Sequence, residues 1–411
     1  MDGRELPRPP RRVPAGAGTL TQVQTSRPQA PQPPPRRPWI FGRILAGFIV
    51  LLIIVAGGAT AGWWLHAQSE ATDPASTTGA SSPASRVDTA PIAASAGPAV
   101  VRVLATTCAG TGEATGALIE GDRVLTAASA LKEPLAIVIV TPDNRIRRAN
   151  LLGTSPDGVA VLRMIGQLDA PRLQLATDTP GPNAERALIG YTAAGKQTIQ
   201  PIGTTKTPTP LASVMNAAKL GGPVVNESAQ LVGLVVGDTV ASSTIIGVDK
   251  LRQYAAPKPT GLAIGADATC VESRGPQGAI VPELQVASTP LALEAQKLLG
   301  NYLTLENRRD FPAVQPLYSE KFKKSYDVAR DRRSHKTTYF FAPELTEVSP
   351  SADGGAFARM TVNALFSPTA VGADGLNCNR LDYRYRLVRE GGKLVIDAAK
   401  KMVDNQSCDS E

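Results

Sequence analysis

Histidine is almost missing from this sequence. Only His66 and His335 occur among the 411 residues, and no histidine lies between them. Because structural zinc sites usually combine cysteine with histidine ligands, a Cys/His zinc site lacks partners here. Histidine is also the most frequent general base in enzymes, so catalysis that depends on it has no candidate between the two. The sequence predicts neither a metal ion nor a cofactor.

The chain also lacks an excess of charge outside its first 43 residues. That segment contains eight arginines against Asp2 and Glu5, which leaves 35 basic and 34 acidic residues for the rest. Proteins that bind nucleic acids usually present a basic face. The nearly neutral remainder therefore gives no support for a nucleic-acid partner.

One apolar run is long enough to cross a bilayer. Residues 44–65 carry no charged side chain and end beside two tryptophans, which favour the membrane interface. We therefore predict a single transmembrane helix over residues 41–66, with the arginine-rich N-terminus in the cytoplasm. The alternative is a cleaved signal peptide with an apolar core at 44–55 and a small-residue cleavage site at 59–61. Both alternatives place the later domains outside the cytoplasm, at the cell membrane or beyond it.

Two segments of low complexity flank the predicted helix. Residues 1–38 contain ten prolines and few apolar side chains, so we predict that residues 1–40 are disordered. Residues 67–97 are rich in Ala, Ser, Thr and Pro, a composition typical of a linker, and we predict a stalk there.

The rest of the chain divides into two predicted domains. From residue 98 onward, short β-branched runs alternate with turn residues, which is typical of an all-β sandwich or barrel, and we assign this domain to residues 98–275. Helical periodicity appears at 291–305, and four strand-like runs follow it. This order predicts a smaller α+β domain over residues 285–411.

The four cysteines fall two per predicted domain, at Cys108, Cys270, Cys378 and Cys408. Four cysteines allow three pairings. An oxidising compartment and the division into domains favour disulfides between Cys108 and Cys270 and between Cys378 and Cys408.

Two segments of the β domain resemble catalytic motifs of the trypsin-like serine proteases. The segment 124–130 (VLTAASA) is similar to the family's VLTAAH motif and has Ser129 at the position of the catalytic histidine. The segment 156–162 (PDGVAVL) is similar to the family's Asp-(Ile/Leu)-Ala-Val-Leu strand. Gly158 stands at the position of the catalytic aspartate, and Asp157 lies one residue away.

A third segment completes the resemblance. Residues 218–224 (AKLGGPV) are similar to the family's Gly-(Asp/Asn)-Ser-Gly-Gly-Pro motif, with Leu220 at the position of the nucleophilic serine. The order and separation of the three segments resemble those of bacterial membrane-anchored members of the family. The resemblance implies a mostly β protein with a trypsin-like double β-barrel. Ala218 replaces the first glycine of the family's oxyanion hole.

The substituted triad argues against catalysis. A serine nucleophile needs a neighbouring base, and that base needs an orienting partner. Leu220 has no hydroxyl, Ser129 is not a base near neutral pH, and Gly158 has no side chain. The sequence therefore assigns no catalytic residue. A Ser–Lys dyad built on Lys132 or Lys219 is the remaining alternative, and it requires a buried lysine with a lowered pKa.

The α+β domain resembles the NTF2-like cone fold in the order and length of its elements. No set of its residues matches an active site of that fold, and we expect His335 to be a surface or turn residue. The segment 321–336 is strongly basic, which predicts a solvated helix face. Binding of anionic envelope polymer or lipid headgroups is the alternative interpretation.

Together these features predict a membrane-anchored extracytoplasmic pseudoprotease, an adaptor or sensor for a peptide, protein or envelope ligand. One alternative is an unconventional serine protease, against which the missing histidine argues. The other is a structural protein of envelope assembly, which would not retain a peptide-shaped groove.

Overall fold

The computed structural model describes residues 87–265, 268–370, 373 and 376–409. The predicted disordered segment 1–40, the predicted span 41–66 and most of the predicted stalk lie outside the described residues. Within the described part of the chain, no helix is both long enough and apolar enough to span a bilayer.

A short helix opens the described part of the chain. Helix α1 (Thr89–Ala96) begins after Asp88, whose carboxylate accepts a hydrogen bond from the N–H of Ala90 at 3.0 Å. Ile92 and Ala96 lie on its buried side and join the core of the β domain. The stalk predicted over residues 67–97 therefore extends too far, because its last residues supply apolar side chains to that core.

Six antiparallel strands close into a barrel in the order β1-β2-β3-β6-β5-β4. Their bounds are Val100–Thr107 (β1), Glu113–Ile119 (β2), Arg123–Ala127 (β3), Pro134–Val140 (β4), Ile146–Thr154 (β5) and Val159–Met164 (β6). Alternate residues of each strand fill the interior, as Val103 and Ala105 do on β1. Closure leaves this sheet without a free edge.

A second, five-stranded sheet packs against the barrel and has the order β11-β10-β9-β7-β8. Its strands are Arg186–Tyr191 (β7), Gln197–Gly203 (β8), Pro223–Val225 (β9), Leu231–Val236 (β10) and Thr244–Gly247 (β11). Helix α2 (Val248–Ala255) follows and buries Leu251 and Tyr254 in the core that both sheets share. The predicted double barrel is confirmed only in part, because the first sheet closes into a barrel and the second is a five-stranded sheet that is not closed.

The remaining residues form helices packed on a third sheet. The helices are α3 (Pro290–Asn307), α4 (Phe311–Val314), α5 (Glu320–Lys323) and α6 (Val328–His335). The strands are Glu283–Leu284 (β12), Tyr339–Pro350 (β13), Ala356–Leu365 (β14), Cys378–Glu390 (β15), Lys393–Lys401 (β16) and Gln406–Ser407 (β17). They pair in the order β12-β13-β14-β15-β16, and β17 pairs with β15. The helical periodicity at 291–305 thus indicates α3 correctly.

Both predicted disulfides are confirmed. Cys108 is bonded to Cys270 with a Cα–Cα distance of 5.5 Å, and Cys378 is bonded to Cys408 with a Cα–Cα distance of 5.6 Å. The first bond ties the segment after α2 to the end of β1, and the second ties the start of β15 to the end of β17.

An apolar cluster joins the barrel to the third sheet; we call it the interface cluster. Its buried members are Leu104, Ala136, Val138, Val140, Tyr339, Phe341, Leu365, Cys378 and Cys408. Leu104 on β1 and Val138 on β4 point out of the barrel, because their sequence neighbours point in. At the rim, Arg148 Nε lies 2.7 Å from Asp409 Oδ2. The barrel and the third sheet therefore share a buried apolar contact.

Leu104→Ala tests whether this cluster stabilises the protein. Removing a fully buried leucine side chain leaves a cavity, and we expect a loss of about 2–5 kcal/mol in the free energy of unfolding. The matched control is Leu293→Ala on the exposed side of α3, for which we expect a change within about 0.5 kcal/mol. Urea unfolding followed by fluorescence measures both, and equal effects of the two substitutions would contradict the assignment.

Candidate functional site

The first two triad positions meet where the barrel contacts the second sheet. Ser129 lies in the 3₁₀ turn Ala128–Leu131 directly after β3, and Gly158 directly precedes β6. The N–H of Ala128 donates to the carbonyl oxygen of Gly158 at 2.8 Å. This hydrogen bond holds the two segments side by side.

The third position, Leu220, belongs to the same junction. Its carbonyl oxygen accepts a hydrogen bond from the N–H of Thr115 at 2.8 Å. A Cβ atom on the next residue, Gly221, would lie 2.6 Å from the backbone nitrogen of Ala127 at the end of β3. The structure therefore brings together all three positions that the sequence motifs identify.

Leu220 closes this junction with an apolar side chain that is only 1% exposed. It packs in a cluster whose other buried members are Ala127, Ala176, Leu188, Ile202, Val224, Val232 and Val235. A nucleophile must reach a substrate in the cleft, whereas this side chain is directed into the protein interior. The position that the motif aligns with the family's nucleophile is therefore a core position in this chain.

Ser129 and Gly158 supply no reactive group either. The Ser129 side chain is buried, and its Oγ has no hydrogen-bond partner among the described residues. Gly158 has φ of +83°, a conformation that favours glycine, and a Cβ atom there would lie 3.5 Å from Val236 Cβ. An aspartate at this position would therefore be strained.

Asp157 does not take the place of the missing aspartate. Its Oδ1 lies 2.6 Å from Lys250 Nζ, and its Oδ2 accepts a hydrogen bond from Tyr254 Oη at 2.7 Å. Lys250 and Tyr254 belong to α2, and their hydrogen bonds hold the pKa of Asp157 below its ordinary value. The carboxylate anchors α2 to the barrel.

The two candidate lysines of a Ser–Lys dyad have other partners. Lys132 Nζ lies 2.7 Å from Asp238 Oδ1 at the surface. Lys219 is buried, and burial lowers the pKa of its amino group, as the dyad would require. However, its Nζ donates to the carbonyl oxygen of Val214 at 2.6 Å and to Gln200. These partners of the two amino groups are thus a carboxylate, a carbonyl oxygen and an amide oxygen, and none of them is a serine hydroxyl.

The loop that would form the oxyanion hole uses the N–H groups of Lys219 and Leu220 within its own turn. It is a 3₁₀ turn at Ala217–Lys219, capped by Asn216, whose side chain accepts a hydrogen bond from the N–H of Lys219 at 3.1 Å. The N–H of Leu220 donates to the carbonyl oxygen of Ala217 at 3.2 Å. An oxyanion hole needs N–H groups directed at the substrate, and the N–H of Leu220 is directed at its own turn.

His335, which we expected to be a surface or turn residue, has a side chain that is 19% exposed. It ends helix α6, and its Nδ1 lies 3.0 Å from Asp331 Oδ1 and 3.3 Å from Glu306 Oε2, both on buried side chains. Sequence reasoning missed this cluster because Glu306 lies on a different helix. The only local signal was the spacing of four between the aspartate and the histidine.

The basic segment 321–336 behaves as a solvated face with local partners. Lys321, Lys323 and Arg332 form ion pairs with acidic neighbours, at N–O distances of 3.2, 2.6 and 3.0 Å. The guanidinium of Arg330 lies over the ring of Tyr326 at 5.3 Å. These contacts support the simpler of the two interpretations of this segment.

A groove lies along the seam between the barrel and the third sheet; we call it the seam groove. Its volume is about 480 Å³, within the range of ligand sites. Four arginines and four carboxylates line it, together with apolar side chains that include Ile280, Val281 and Phe341. Val281 is 71% exposed, so the groove offers an accessible apolar surface. Sequence reasoning could not locate it, because its walls come from both folded parts.

Comparison with known proteins identifies the fold of the first part. Residues 114–234 match the family model of the trypsin-like peptidase domain. This region therefore carries a trypsin-like peptidase fold. No curated protein matches the sequence.

Solved structures of serine proteases are similar to this chain at low identity. The active form of the Rv3671c protease from M. tuberculosis is 22% identical over 48% of this chain and 99% of that chain, with a TM-score of 0.38. The serine endoprotease from Yersinia pestis is 21% identical over 39% of this chain and 62% of that chain, with a TM-score of 0.34.

A pair of glycine substitutions tests the packing of the nucleophile turn. Gly221 and Gly166 have nearly the same φ, +81° and +82°, but a Cβ atom on Gly221 would lie 2.2 Å from the carbonyl oxygen of Thr115, whereas one on Gly166 meets nothing within 4 Å. We expect Gly166→Ala to cost about 1–2 kcal/mol through its backbone conformation alone. Gly221→Ala should cost at least about 2 kcal/mol more, because backbone atoms must move apart. Urea midpoints measure both, and similar losses would contradict the close packing.

Proposed function

We propose that this protein is a membrane-anchored pseudoprotease whose outer part binds a peptide or protein ligand and acts as an adaptor or sensor. The proposal rests chiefly on one observation, the buried Leu220 at the position of the nucleophile. In this proposal the anchor is the apolar run at 44–65, and the folded part lies outside the cytoplasm.

The chemistry of the junction supports the absence of peptide hydrolysis. Acyl transfer needs a hydroxyl, a base that accepts its proton and donors for the oxyanion. At this junction a leucine stands at the position of the hydroxyl and a buried serine at the position of the base. The N–H of Leu220, at the position of an oxyanion donor, bonds within its own turn. Three separate requirements of the reaction are unmet at the same place.

The seam groove is the binding site in this proposal. Four arginines against four carboxylates give it no strong charge of either sign, which suits a peptide with mixed side chains better than a polyanion. Its exposed apolar side chains, Val281 above all, supply area that a ligand can bury. We further propose that the α+β part is an NTF2-like domain that contributes one wall of this site.

The pseudoprotease part of the proposal predicts no reaction with fluorophosphonates. These reagents label an activated serine hydroxyl, and the junction contains none. The purified chain should show neither labelling nor hydrolysis of casein, while an active trypsin run in parallel shows both. Labelling of the unmodified chain would reveal a nucleophile elsewhere and would sink the pseudoprotease proposal.

The binding part of the proposal is tested with a matched pair of valines. Val281 lines the seam groove and Val271 does not, yet both are 71% exposed, so a charged residue at either position should leave folding intact. The tagged chain is crosslinked in native membranes, and the proteins captured with it are identified. Val281→Asp should abolish this capture, whereas Val271→Asp should leave it unchanged. Equal capture by both variants would exclude the seam groove as the site.

A further inference from the structure

A buried group of three metal-ligating side chains lies between helices α3 and α6; we call it the α3–α6 cluster. Glu306 comes from the end of α3, and Asp331 and His335 lie one helical turn apart on α6. Glu306 and Asp331 are 0% exposed, whereas the His335 side chain is 19% exposed. The cluster is therefore shielded from bulk solvent but reachable along the imidazole.

The distances within the cluster fit a coordination sphere. His335 Nδ1 lies 3.0 Å from Asp331 Oδ1 and 3.3 Å from Glu306 Oε2. Nitrogen and oxygen ligands about 2.0–2.2 Å from a tetrahedral zinc ion are separated from one another by about 3.3–3.5 Å. The three ligand atoms lie within 4.8 Å of one another, so one ion could contact all of them after small side-chain movements.

An unmet requirement at Glu306 points to a missing partner. Both of its carboxylate oxygens are buried, and neither accepts a hydrogen bond within the described part of the chain. A buried carboxylate without hydrogen bonds is costly. A single Nδ1 proton can bond only one of the two carboxylates, and Asp331 Oδ1 is the nearer acceptor. Glu306 Oε2 therefore has the imidazole Nδ1 at 3.3 Å as an ion-pair partner, whereas Oε1 has no hydrogen bond among the described residues.

We propose that Glu306, Asp331 and His335 bind one divalent transition-metal ion of the zinc type. The two carboxylates and a neutral imidazole together carry a formal charge of −2, which such an ion cancels. One nitrogen with two oxygen ligands suits zinc and its neighbours in the periodic table. Three protein ligands leave a fourth position for water or a ligand.

The surroundings support this assignment. Tyr318 Oη donates to Asp331 Oδ2 at 3.2 Å, the kind of outer contact that orients a metal ligand. The nearby cation Arg309 donates hydrogen bonds to the backbone carbonyl oxygens of Glu306, Ser273 and Lys336. These N–H groups are therefore not hydrogen-bonded to the carboxylates of the cluster. The ring of His335 lies 5.6 Å from that of Phe340 and 6.5 Å from that of Tyr326, measured between ring centroids.

The first test uses the full chain in detergent, stripped with a chelator and dialysed. Added Zn²⁺ alone should bind with one tight equivalent per chain and raise the thermal unfolding temperature, because an ion that binds only the folded state stabilises it. Co²⁺ in its place should give the visible absorption of a four-coordinate site. A stripped chain that binds no Zn²⁺ at micromolar concentration would overturn the proposal.

The second test assigns the site to its residues. Glu306→Gln and His335→Gln should each remove the tight equivalent, and Tyr318→Phe should weaken it about 10- to 100-fold while all three ligands remain. The control is Asp397→Asn, which changes a buried carboxylate on β16 outside the cluster and should leave Zn²⁺ binding normal. If Glu306→Gln fails to fold, His335→Gln and Tyr318→Phe decide the matter. Unchanged affinity in these two variants would overturn the assignment.

Discussion

The contact between the barrel and the third sheet is the constraint on which the rest of the structure depends. The interface cluster places one face of β1 and β4 against β13 and the second disulfide, so these two strands are covered on both sides. The same contact creates the seam groove at its edge. The proposed ligand site is therefore a property of the assembled chain, since neither part has both walls.

Burial on two faces also explains which parts of the fold could be read from the sequence. The run 135–140 (LAIVIV) is continuously apolar, which is typical of a strand covered on both sides, although nothing in it names the partner. The disulfides were predicted because an oxidising compartment and two cysteines in each domain favour those pairings. Helix α3 was predicted because helical periodicity is a local signal. Helix α1 was missed because its small residues resemble a linker, and only Ile92 and Ala96 reveal a buried side.

For the candidate site, sequence motifs located the positions but not their state. The motifs identified Ser129, Gly158 and Leu220, and the structure adds that Leu220 is a core residue. The α3–α6 cluster shows the opposite case. Its side chains can bind a metal ion, but they lie close together only because α3 packs beside α6. A search for cysteine with histidine also passes over carboxylate ligands.

The outward side chains of β1 and β4 have a consequence for biosynthesis. The barrel strands are complete at residue 164, but the side chains that cover Leu104 and Val138 begin only at Tyr339. At about 5–20 residues per second, ribosomes need on the order of 10–40 s to add the intervening residues. During that interval the nascent barrel exposes an apolar stripe. A nascent chain in that interval is therefore prone to aggregate through this stripe.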